Sequence, residues 1–126
     1  MKLNEATNTG ALVPDADGFY TVCVGSFPDK ATEEAFQAAL ASPKVSHDLK
    51  SEKLLGFSAD REKGLVGPLF AVRALLCEGD YVHGVIKPVG ANHASFREVL
   101  QSDKPKSFSM NIGTGLQLLS YDWVSE

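Results

Sequence analysis

Cysteine is nearly absent from this 126-residue chain, and tryptophan occurs once. Cys23 and Cys77 each lie in an apolar run with no CxxC or Cys/His spacing. They read as buried, reduced thiols of a cytosolic protein, not as a disulfide or metal ligands. The three histidines, His47, His83 and His93, also lack the spacing of a zinc site, so neither metal nor cofactor is expected. Basic clusters are missing too. Twelve basic residues are scattered among sixteen acidic ones, and the net charge of −4 argues against a nucleic-acid partner. The most apolar stretch, Gly64 to Cys77, is interrupted by glycine, proline and arginine and falls short of the roughly 18 residues a membrane span requires. Met1 to Asn8 has no apolar core of the secretory kind. Neither Gly-x-Ser-x-Gly nor a Gly-rich phosphate loop occurs, which excludes an α/β-hydrolase elbow.

What is present is apolar material, 44% of residues, sufficient for one domain with its own core. Residues 1–17 are polar and rich in Asn, Asp, Thr and Gly. They read as an arm, either mobile or laid against a neighbour, ahead of a globular domain over residues 18–126. Phe19 to Val24 has the β-branched and aromatic content of a strand. A helix follows, with Thr32 as N-cap, Glu33 and Glu34 at the positive end of its dipole and Phe36, Ala39 and Leu40 on one face before Pro43 stops it.

Val45 to Leu49 and Leu54 to Ser58 read as short strands, with Asp60 to Gly64 as a polar turn. Leu65 to Cys77 suits a long buried strand bent at Gly67-Pro68, because proline cannot donate to a central ladder. Glu78-Gly79-Asp80 turns the chain into a hairpin partner, Tyr81 to Lys87. A second helix is predicted over His93 to Gln101, with Ser95 and Glu98 resembling a capping box, and the last strand or pair of strands covers Ser107 to Trp123. The fold class expected is α+β: a β-rich small barrel of six or seven mostly antiparallel strands with two short helices packed outside.

Two positions invite a chemical reading. His47 lies in Lys44-Val-Ser-His-Asp48, and Ser109, some sixty residues later, lies in Phe108-Ser-Met-Asn-Ile-Gly113. A serine hydroxyl is a weak nucleophile until a neighbouring base takes its proton, so a fold that joins these two would create a reactive pair. Alternation places Ser107, Ser109 and Asn111 on one face of their strand, toward solvent or a site. Gly113 and Gly115 could free backbone amides for an oxyanion, and they equally suit a bulge.

In order, the stretch from Glu34 to Ser109 resembles the tailed-phage prohead maturation proteases and, more distantly, the herpesvirus assemblins. The helix Glu34-Ala-Phe-Gln-Ala-Ala-Leu-Ala leads to His47; Leu54-Leu-Gly56 and the charged turn Asp60-Arg-Glu-Lys-Gly-Leu65 follow; Phe108-Ser109-Met-Asn-Ile-Gly113 comes after a second helix. The match spans about two thirds of the chain. It implies a serine endopeptidase in which Ser109 attacks the scissile carbonyl, His47 accepts its proton, and Met110, Asn111 and Gly113 frame the oxyanion and substrate. Asp48, Glu52 or Asp60 could orient His47, and Asp122 and Glu126 are the late alternatives. The resemblance also implies phage capsid and scaffold proteins as partners, a homo-oligomer, and residence in the host cytoplasm, the prohead or the virion. Asn111 stands where many members carry an arginine, and no arginine follows Arg97. The resemblance is therefore also compatible with a virion structural protein, a head, decoration or adaptor subunit that keeps the fold without chemistry.

Overall fold

Alternating burial runs through the longest strands. In β2 (Tyr20–Ser26), Tyr20, Val22 and Val24 turn inward while Thr21 is exposed, and in β5 (Tyr81–Pro88), Val82, Gly84 and Ile86 turn inward. The computed structural model describes residues 1–58, 67–113 and 115–121. The predicted turn at Asp60 to Gly64, the start of the strand predicted from Leu65, and Asp122, Trp123 and Glu126 lie outside them. The remaining strands are β1 (Ala6–Asn8), β3 (Leu54–Ser58), β4 (Phe70–Glu78), β6 (Lys106–Ile112) and β7 (Leu116–Tyr121). They form one seven-stranded sheet in the order β1-β6-β7-β3-β4-β5-β2, with β3 and β7 parallel and every other pair antiparallel.

The two ends of that order meet. Asn4 and Ser26 exchange backbone hydrogen bonds of 2.9 and 3.2 Å, and β1 lies between β6 and β2, so the sheet is a nearly closed, barrel-like ring. Leu3 is fully buried, and an added Cβ on Gly25 would lie 2.8 Å from the Leu3 Cβ. Residues 1–8 thus run along the sheet, with Lys2 and Asn4 in isolated bridges and Ala6–Asn8 as a strand.

Among the described residues three helices accompany the barrel, where two were expected. In α1 (Lys30–Ala41) the cap is Asp29, whose Oδ1 accepts from the Thr32 amide (2.8 Å) and hydroxyl (2.7 Å); Thr32, predicted as the cap, is the donor. The extra helix, α2 (Pro43–Lys50), replaces the strand predicted over Val45 to Leu49. Pro43 does end α1, but its fixed φ also suits a first helical position, and the Ser42 Oγ accepts from the Val45 amide. One serine closes the first helix and opens the second. The helix α3 (His93–Gln101) has the predicted bounds, but its N-cap is Asn92, with Ser95 already inside it.

Core residues come from every layer: Phe36 of α1, Val45 of α2, and Phe96 and Leu100 of α3 join Tyr20, Val22, Val72, Ile86, Phe108 and Met110 in one cluster. At its centre the Phe70 ring stacks on Phe96 (5.5 Å between centroids) and meets Phe108 edge-on (5.7 Å). The cysteines depart from expectation. Both are free, but Cys23 is half-buried and Cys77, at the end of β4, is exposed with Gln37 Nε2 3.4 Å from its sulfur.

Candidate functional site

Strand β6 carries the serine row, and its neighbours decide what that row can do. β6 is paired along both edges, by β1 and β7, and its burial from Lys106 to Met110 shows that both faces are covered as well, so the side predicted to face solvent or a site is closed at Ser107 and Ser109. Ser107 lies opposite Thr7 of β1, the two hydroxyls 2.8 Å apart. Ser109 is 2% exposed. Only Asn111, nearest the end of the strand, is partly open.

His47 sits on α2, on the exposed side of that helix, and not on the strand where it was expected. Its carbonyl accepts from the Ser51 amide (3.0 Å) and hydroxyl (2.7 Å), which close the helix end. Among the described residues no hydrogen bond or ion pair reaches its imidazole, and none joins it to Ser109. Asp48 is half-buried, and its carbonyl accepts from the Lys53 amide (2.8 Å). Glu52, with φ 56°, ends the helix in the left-handed region. Asp60 lies outside the described residues.

The groups proposed for an oxyanion are also engaged. The Ile112 amide donates to the Met1 carbonyl (2.7 Å) and the Gly113 amide to the Gly115 carbonyl (2.9 Å). A developing negative charge needs donors that are free and aimed at it. The two main-chain donors at Ile112 and Gly113 are already committed to closing the β6–β7 end of the barrel.

Sequence reasoning missed Lys106. It is fully buried, and its Nζ donates to the Gly10 and Ser102 carbonyls, both at 2.6 Å, joining the segment before β2 to the end of α3. Burial pushes its pKa below the usual lysine value, with Asp103 partly opposing that shift. Ser102 is only four residues away, but no local signal could have found the site, since Gly10 comes from the far end of the chain. Asn111 and Gly113 do share a cleft. It opens at the β6–β7 end, encloses about 580 Å³ and has Lys2, Lys44 and Gln117 on its walls. Among the described residues no three His, Cys, Asp or Glu side chains gather as a metal site. No protein-family model matches the chain, and searches of curated proteins and of solved structures returned no match.

Proposed function

We propose that this chain is a non-enzymatic virion structural protein, a head, decoration or adaptor subunit built on a protease-like barrel that performs no cleavage. The observation that supports the non-enzymatic half is the setting of the two residues: Ser109 is 2% exposed within a paired strand, His47 stands at an exposed helical position, and among the described residues no bond joins them. A nucleophile must be reachable by substrate and within reach of its base. The viral half rests on the order of features from Glu34 to Ser109. Its partners on this reading are phage capsid and scaffold proteins and further copies of itself. It resides in the assembling head and then the virion.

Quantitative mass spectrometry of purified particles tests the proposal. A structural subunit is present at a fixed ratio to the major capsid chain, and Ser109→Ala leaves capsid and scaffold processing unchanged. Loss of processing in a Ser109→Ala variant that remains folded, with the chain scarce in mature particles, would overturn it in favour of a serine endopeptidase.

A further inference from the structure

The cleft at the β6–β7 end has a composition unlike the rest of this acidic chain. Sheet register fixes one wall: Lys2, ahead of β1, bridges to Asn111 of β6, and Asn111 pairs with Gln117 of β7, so three polar residues stand in a row. The Asn111 Nδ2 donates to the Gln117 Oε1 at 3.4 Å, which orients both carboxamides and leaves each with spare capacity. Lys44 reaches the same cleft from the first turn of α2, the positive end of that helix dipole. Ile112 and Leu116 supply an apolar floor. Among the described residues no acidic side chain lines the cleft, and neither lysine has an ion-pair partner. The Lys2 and Lys44 side chains, without ion-pair partners, therefore share a cleft of about 580 Å³ with Met1, whose amino group donates to the Ile112 carbonyl (3.0 Å); that volume is within the size range of small-molecule sites.

We infer that this cleft binds a phosphate-bearing small molecule, with Lys2 and Lys44 on the phosphate and Asn111 and Gln117 as the hydrogen-bonding rim. Two ammoniums match the charge of a phosphate near neutral pH, where a single carboxylate would leave one of them uncompensated. Lysine suits such a group as a point charge without imposing the planar geometry of arginine. The apolar floor would take an organic portion. The inference does not depend on the virion reading, because the cleft lies apart from the Ser109 hydroxyl and involves no chemical step.

The test is a titration of the full-length protein, followed by backbone amide NMR, with pyrophosphate, inorganic phosphate and adenosine monophosphate in turn. Sodium chloride at matched ionic strength is the control. The inference expects saturable shifts at Asn111, Gly113, Gly115 and Gln117, with affinity reduced about tenfold by Lys2→Gln and again by Lys44→Gln. Lys30→Gln, at an exposed lysine remote from this cleft, leaves it unchanged. Tighter binding of adenosine monophosphate than of phosphate would identify an organic phosphate as the occupant, and equal binding would identify free phosphate. Non-saturable shifts, shifts reproduced by chloride, or equal losses in the Lys30→Gln variant would overturn it. All three substituted positions are exposed, so the variants are expected to fold, and their Tm values verify that.

Discussion

The Asn8 carboxamide pairs with the backbone of Cys23 as another strand would: its Nδ2 donates to the Cys23 carbonyl at 3.0 Å, and its Oδ1 accepts from the Cys23 amide at 2.9 Å. It does so beside the irregularity in β2, where the register against β5 shifts between Cys23 and Gly25. A side chain thereby completes the ring at the margin of main-chain pairing between β1 and β2.

Replacing that carboxamide leaves two backbone groups without their partner. Asn8→Ala is expected to cost about 1–2 kcal/mol, read as a lower urea midpoint with unchanged slope. Asn8→Asp is expected to be worse at neutral pH, because it keeps the acceptor but turns a carboxylate toward the Cys23 carbonyl. Its deficit narrows in acid as the carboxylate takes up a proton. An Asn8→Asp variant as stable as the native chain at pH 7 would refute the pairing.

Gly56 underlies the aromatic centre. A Cβ built there would lie 1.9 Å from Phe70 Cζ and 2.2 and 2.4 Å from the two ring carbons beside it, so the ring covers the glycine face-on. Phe70 is held by Phe96 and Phe108 and cannot retreat freely. Gly56→Ala is therefore expected to cost about 3 kcal/mol, at the upper end of ordinary overpacking. Phe70→Leu, destabilising alone, should recover part of that loss in the double variant, a coupling a thermodynamic cycle would measure.

Much of the barrel was legible because alternation is a local signal. Leu54 to Ser58, Tyr81 to Lys87 and the His93 to Gln101 helix need only their own residues to be recognised. The segment Pro43 to Lys50 was misread because eight residues hold too few turns for a clear helical period, and its capping serine already served the helix before it. Closure by residues 1–8 was invisible for another reason. The segment is polar, and what places it is a set of bonds to residues near 26 and 110. The surroundings of the candidate site were illegible at the same level. Alternation says which side chains share a face of β6, but only the tertiary packing over that face says that it is closed at Ser109.

The cap of α1 carries a pH dependence. Bonds from the Thr32 hydroxyl and amide hold the Asp29 carboxyl below 3.8. A carboxylate whose folded-state pKa is depressed contributes stability above its unfolded value, and that contribution is lost as the pH falls through the folded value. Asp29→Ala is thus expected to lower Tm at pH 7, with the difference from the native chain shrinking as the pH drops below 3.8. Asp29→Asn, which keeps an acceptor, should retain part of the effect at all pH values.

Lys106 supplies the converse case at the alkaline end. Burial lowers its folded-state pKa below 10.5, so the folded chain sheds this proton before the unfolded chain does. Unfolding then takes up a proton, and this group's contribution to stability rises with pH across the interval between the folded value and 10.5. The neutral amine keeps two N–H donors, enough for the Gly10 and Ser102 carbonyls. Lys106→Met keeps most of the buried volume but orphans both carbonyls, for an expected net loss of about 1–3 kcal/mol at pH 7, where removal of a buried charge offsets part of the damage. That offset fades as the folded chain loses this proton ahead of the unfolded chain, so the gap between the native chain and the variant should widen with rising pH. Urea denaturation of both proteins at intervals from pH 7 to 10 measures it, and a gap that narrowed with pH would show that the ammonium, and not the amine, is the form the barrel favours.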